Sequence, residues 1–228
     1  MFVIFVASSV RLQAAKITKK SGSTLGRWQT LFRATNAVGT RQLPEKSPLK
    51  SLDEFTITGA YEKHVNRLNQ VVCDGQWGIS QGVLSQISGR AAAIKIGRAK
   101  EFELEAGIQA EGVGGWFIVF GYDQGHGYGV YNVTMNQSGS PWFITEFRDG
   151  KGILDSDKEL VRYECKGKET LKLRVVNEKV SLSIGNRKIM EDVELAGIHE
   201  GDIILGTYDT KYGPKPVKIY GIRLRTPK

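Results

Sequence analysis

Residues 170–185 read TLKLRVVNEKVSLSIG. Leu171, Leu173 and Val175 alternate with Lys172 and Arg174. Val180, Leu182 and Ile184 then alternate with Ser181 and Ser183. Side chains on a strand point to opposite faces with a period of two, so each run has one apolar and one polar face. Asn177-Glu178 is a two-residue connection between them, which predicts a hairpin. Runs of the same kind extend outward on both sides. Upstream lie FTITGAY (55–61), WGISQGVLSQI (77–87), AAAIKI (91–96), EFELEAGIQ (101–109), GWFIVFGY (115–122), YGVYNVTM (128–135) and PWFITEF (141–147). Downstream lie DIILGTY (202–208) and VKIYGIRLR (217–225). Turn signals recur every 8–12 residues or so, the spacing of a sandwich or barrel. No stretch sustains a 3.6-residue apolar period. The expected fold is all-β: a jelly-roll β-sandwich of two antiparallel sheets.

Composition agrees. The chain has 228 residues, 40% of them hydrophobic, with Gly 27 against Pro 6. That is enough for one sizeable core and many tight turns. The formal net charge is +8, and residues 1–55 carry nine basic residues against three acidic ones. The expected division is therefore a basic N-terminal leader or arm over 1–55 and a sandwich domain over 56–228. Such an arm either touches phosphates or anionic lipid, or is simply solvated. MFVIFVASSVRLQAA at the start is apolar from Phe2 to Ala7 and then small. It reads either as a signal-peptide remnant, implying a secreted or periplasmic protein, or as an apolar strand. It is too short for a stable membrane span. Two cysteines, Cys73 and Cys165, exclude metal sites built on CxxC spacing; they are read as two unpaired thiols, with a single disulfide as the alternative in an exported protein.

The segments WGISQGVLSQ, KEFELEAGIQAEGVGGWFIVFG, ETLKLRVVNEKVSLSIGNRKI and PVKIYGIRLR follow one another in an order that resembles the concanavalin A-like lectin/glucanase jelly roll. Within it they are most similar to the 3-keto-disaccharide hydrolase-like (LamG-like) domains of secreted bacterial proteins. The resemblance covers about residues 56–228 and is one of strand order, so it implies a fold more strongly than a chemistry. It implies a role with carbohydrate, as a glycoside-cleaving domain or a sugar-binding module. The glucanase pattern E-x-D-x-x-E is absent.

Glu101, Glu103 and Glu105 share one face of their strand. Residues two apart are about 6.5–7 Å apart at the backbone, within reach of the carboxyl spacings that glycosidases use. The same pattern also serves any strand with one wet face. GWFIVFGY is taken as the partner strand, apolar on both faces. It is either central and covered twice, or it offers an aromatic platform. One register would set Glu103 and Glu105 beside Tyr122 and Phe120; the other would send Phe102 and Leu104 into the core with those rings. GYDQGHGYGVY adds Asp123, His126 and Tyr128 among glycines, a binding loop or an exposed tip. PWFITEFRDG adds Trp142, Glu146 and Arg148, a sugar platform with polar partners or a core tryptophan with a surface ion pair.

The expected function is an exported carbohydrate-binding or carbohydrate-processing domain acting on a glycan or small saccharide at the concave sheet. Glu103, Glu105 and His126 are the candidate catalytic groups. Tyr122, Asp123, Tyr128, Trp142, Glu146 and Arg148 are the candidate substrate-binding groups. A 3-keto-glycoside hydrolase or lyase is one alternative, a non-catalytic structural or protein-interaction module another. No metal or cofactor motif, nucleophilic triad or phosphate loop is present. Nucleic acid is not expected as a partner, because the chain beyond the arm is nearly neutral.

Overall fold

The structure, a computed structural model, describes residues 24–58, 70–110, 114–134, 141–153, 158–165, 167–208 and 217–228. In chain order the strands begin with β1 (Gln29–Arg33), β2 (Thr40–Gln42), β3 (Lys50–Leu52), β4 (Phe55–Thr58), β5 (Gln70–Cys73) and β6 (Trp77–Ser80). Next come β7 (Val83–Gln86), β8 (Ala92–Ala99), β9 (Phe102–Ala110), β10 (Gly114–Asp123), β11 (His126–Thr134) and β12 (Pro141–Arg148). The remainder are β13 (Lys151–Gly152), β14 (Lys158–Arg162), β15 (Lys168–Val176), β16 (Lys179–Ile184), β17 (Arg187–Glu194), β18 (Gly201–Tyr208) and β19 (Val217–Arg225). No helix occurs among the described residues, so none there is long and apolar enough to cross a membrane.

The strands form two sheets. The first runs β17-β16-β15-β9-β19-β7-β6-β2, with β1 also on β19. The second runs β3-β8-β18-β10-β11-β12-β13-β4-β5, with β14 also on β12. Every described pair is antiparallel except β13 with β4, which meet at Lys151 and Thr58. The opening stretch is the β15–β16 hairpin, with Val176 opposite Lys179. Its two turn residues, Asn177 and Glu178, have φ of 53° and 59°, the primed turn that matches strand twist. The expected two-sheet jelly roll is thus present.

The main core lies between the sheets. Phe102, Leu104, Ala106 and Ile108 of β9 enter it with Leu171, Leu173 and Val175 of β15. Trp116, Ile118 and Phe120 of β10 meet them from the other sheet, Phe102 and Phe120 edge to face at 6.4 Å. One expectation fails here: β9 and β10 are consecutive but do not pair. β9 hydrogen-bonds to β15 and β19, whereas β10 hydrogen-bonds to β11 and β18. The chain changes sheets between them, so neither proposed register exists.

A second core explains why β10 is apolar on both sides. Phe117, Val119, Tyr131, Phe143, Ile204 and Tyr208 face away from the main core. The β4–β5 hairpin contributes Phe55, Ile57, Val71 and Cys73 to this second layer. Glycines make the rings fit. Gly206 stands opposite Phe117, where a Cβ would lie 2.1 Å from the ring, and Gly115 stands opposite Tyr208 at 2.0 Å. Aromatic rings thus lie over bare backbone on neighbouring strands.

The described part of the 1–55 segment is woven into both sheets rather than standing apart. β1 pairs with β19, β2 with β6 and β3 with β8, and Leu25 bridges Pro227. Residues 1–23, including the apolar start, lie outside the described residues. Both cysteines are free thiols. Cys73 sits in the second core and Cys165 packs against the first. Burial, then Asp74, pushes the Cys73 thiol up to about 12; burial, then Glu169, does the same to Cys165.

Candidate functional site

Because Phe102, Leu104 and Ile108 point inward, Glu103, Glu105, Gly107 and Gln109 point out from the first sheet. Cross-strand pairing then decides their company. Glu103 lies between Arg174 of β15 and Arg225 of β19, and Glu105 lies between Lys172 and Arg223. Arg174 Nε donates to Glu103 Oε1 at 3.0 Å, and Arg225 Nε donates to Glu103 Oε2 at 2.8 Å. Arg223 Nη2 donates to Glu105 Oε2 at 2.6 Å; Glu105 Oε1 accepts nothing from the described residues. Trp28 caps this ladder. The guanidinium carbons of Arg223 and Arg225 each lie 4.7 Å from its ring centroid, a cation–π stack.

The same face carries two hollows. The first, about 280 Å³, is bordered by Thr30, Phe32, Arg33, Glu105, Thr170 and Tyr220. Its floor is low because Gly107 and Gly221 pair across β9 and β19 and neither has a side chain. Tyr220 falls at an irregularity in β19, between Ile219 and Gly221, which breaks the strand's alternation. Its hydroxyl donates to Gln109 Oε1 at 2.8 Å, and Lys168 Nζ stands 3.9 Å from its ring centroid. The second hollow, about 230 Å³, is bordered by Lys172, Arg174, Ser181, Ser183, Lys188 and Asp192.

Glu101, just before β9, accepts from the Asn177 backbone N–H at 2.9 Å. The candidate residues other than these glutamates belong to the second sheet, so they are not gathered with Glu103 and Glu105. Trp142 is 1% exposed, sits edge to face with Trp116 at 4.9 Å and donates Nε1–H to the Tyr163 carbonyl at 3.1 Å. This corrects its reading as a sugar platform: the core occupies its faces. Tyr122 is half-buried against Phe55, with ring centroids 5.3 Å apart, and burial raises its hydroxyl pKa. Tyr128 stacks on Phe120 at 6.2 Å and donates to the Ala196 carbonyl at 2.6 Å. Burial, then Glu146, raises its pKa as well.

The polar members do share one end of that sheet. Asp123 pairs with His126 across the β10–β11 hairpin, and Tyr128 pairs with Glu146 across β11–β12. Each is engaged by neighbours. Arg98 Nη2 donates to Asp123 at 3.0 Å, His126 Nε2 is 3.6 Å from Asp149, and Arg148 Nε donates to Glu146 at 2.8 Å. His126 and the two glutamates of β9 lie on different sheets, so the candidate catalytic set is not assembled as one site. Among the described residues, no group of three or more His, Cys, Asp or Glu is placed to hold a metal ion.

Trp28, Arg33 and Tyr220 were not singled out by sequence. A faint signal existed for Tyr220: a glycine beside it inside an otherwise alternating strand marks a bulge or a close approach. Glu103→Gln tests the ladder. Losing one charge between two guanidinium groups is expected to cost about 1–2 kcal/mol of stability, measured by urea unfolding at low salt. A change under 0.3 kcal/mol or so would show the ladder to be energetically idle.

No protein-family model matches the sequence, and no curated protein is significantly similar to it. Solved structures do share its architecture. The CBM2 module of the evolved Dit of Lactobacillus casei BL23 phage J-1 is 11% identical, with 90% of this chain and 96% of that chain covered at a TM-score of 0.56. A beta-1,3-glucanase from Mycobacterium marinum is 10% identical over 86% and 98% of the two chains, at 0.55. The exoplasmic/lumenal domain of VIP36, in its Ca2+/Man2-bound form, is 10% identical over 86% of each chain, at 0.51. At such identities the likeness is one of fold, and the chain has the concanavalin A-like jelly-roll fold.

Proposed function

We propose that the chain is a carbohydrate-binding domain, with the hollow between β1, β19, β9 and β15 as its saccharide site. The observation that supports this most is the composition of that hollow. An aromatic ring, Tyr220, stands beside a floor of two glycines, with Thr30, Thr170 and Glu105 on the rim. Rings stack on the apolar faces of sugars, while hydroxyls and a carboxylate oxygen take the sugar hydroxyls. A volume of about 280 Å³ suits one sugar unit of a longer ligand. The named relatives in fold add support, being a CBM2 module, a beta-1,3-glucanase and a domain in its Ca2+/Man2-bound form. Binding is favoured over cleavage because both oxygens of Glu103 are taken up by arginines and His126 lies on the other sheet. Export, as the apolar start suggests, and membership of the LamG-like group belong to the same proposal.

A glycan array with wild type and Tyr220→Ala tests the reading. At least one glycan should be retained by wild type, with about tenfold weaker affinity for the variant, or about 1.4 kcal/mol. No turnover of 3-keto-glycosides is expected. Equal binding by the variant would remove the site, and release of product would move the protein to the enzyme class.

A further inference from the structure

Resting on that reading, we propose that the ligand is an anionic polysaccharide, bearing carboxylate or sulfate groups, laid across the strands from β1 to β16. The two hollows adjoin at one cross-strand pair. Lys172 borders the second, and its cross-strand partner Glu105 borders the first. A chain filling both must pass over this pair.

The charges along that path do not cancel. Arg223 is satisfied by Glu105, Lys188 by Glu191, and Arg174 by Glu103. Asp192 accepts from the Ser181 hydroxyl at 2.9 Å and has no cation paired with it among the described residues, so the two hollows together are lined by five cations and three carboxylates. Arg33 and Lys172 remain, one bordering each hollow, with no ion pair to any described residue. Lys168 adds a third cation, with its ammonium over the Tyr220 ring. A neutral saccharide would leave these cations without counter-charges, whereas an anionic one makes charge-assisted hydrogen bonds to them.

Spacing points to a polymer. From Arg33 on β1 to Lys172 on β15 is three strand spacings and a two-residue offset in register. At the backbone this is about 15 Å, more than one sugar spans. Arg33 presents a planar fork that fits a carboxylate or sulfate in two-point fashion, and Lys172 acts as a point charge.

Affinity electrophoresis at about 0.15 M salt tests this with four probes: polygalacturonate, dextran sulfate, unmodified dextran and duplex DNA. Wild type is compared with Arg33→Gln/Lys172→Gln and with Lys151→Gln/Lys158→Gln. The second pair removes the same charge from exposed positions of the other sheet. Wild type should bind polygalacturonate or dextran sulfate, and the preferred polymer identifies the anionic group. The Arg33/Lys172 variant should bind it at least tenfold more weakly, and the Lys151/Lys158 variant within about twofold of wild type. Equal loss in both variants, or DNA bound as well as the acidic polysaccharides, would reduce the effect to net charge and overturn the inference. Dextran bound as tightly as the acidic polymers would overturn it too while leaving the saccharide reading intact. Failure to bind any polysaccharide, here and on the array, would overturn both.

Discussion

Trp142→Ala is expected to lower the free energy of unfolding by about 3–5 kcal/mol, and to leave the saccharide affinity of the folded protein unchanged. Trp142 is among the largest fully buried side chains, with Trp116 against it and its indole N–H held by the Tyr163 carbonyl. Alanine would remove the ring, leave a cavity that rigid sheets cannot close, and take the indole donor from a part-buried carbonyl. A tryptophan serving as a sugar platform behaves in the opposite way: its loss weakens binding and spares stability. Urea unfolding with binding measured at fixed folded concentration separates the two. A loss under about 1 kcal/mol together with lost binding would refute the core assignment.

Phe55→Ala is expected to cost about 3 kcal/mol and to release the β4–β5 hairpin before the sandwich unfolds. Among the described residues, the hairpin meets the rest of its sheet at one parallel pairing, Lys151 with Thr58. Side chains therefore hold it in place, and Phe55 is central among them, 6.1 Å from Phe117 and 5.3 Å from Tyr122. Cys73 supplies the readout. It is fully buried, and its thiol is pushed up to about 12, so it is a poor nucleophile while the hairpin is docked. In a Cys165→Ser background, labelling by a thiol reagent at pH 8 should accelerate at least tenfold in Phe55→Ala. Amide protection in β9 and β15 should persist. Unchanged labelling would mean that the hairpin is held by something other than its apolar face.

The parts of the fold that could be read from sequence are those carried by local alternation. TLKLRVV and KVSLSIG declare their inward and outward faces, and the two residues between them declare the turn. Alternation also places Glu103 and Glu105 opposite Phe102 and Leu104. It does not say which strands lie beside them. Their arginine partners, Arg174 and Arg225, stand 71 and 122 residues from Glu103. Pairing over such distances follows from how two sheets share one chain, not from any short window. GWFIVFGY is apolar on both faces and PWFITEF carries large apolar residues on both, so periodicity gives no hint of which face meets the main core. Periodicity alone therefore leaves Trp142 open between platform and core. The strands of the N-terminal segment leave no alternation in the sequence because they are five, three and three residues long, and largely exposed. They are joined by backbone hydrogen bonds, which any residue but proline can make. Arg33 and Trp28 ride on that segment, so much of the proposed site was hidden with it.

The position of β19 has a consequence for biosynthesis. It lies inside the first sheet, hydrogen-bonded to β9, β7 and β1, yet it spans only residues 217–225. Until the ribosome has released that segment, β9 has an open edge and β1 lacks the one partner it has among the described strands. The first sheet therefore cannot close in stages from its front, and its greasy strands wait unmatched, a state that invites chaperone capture or clumping.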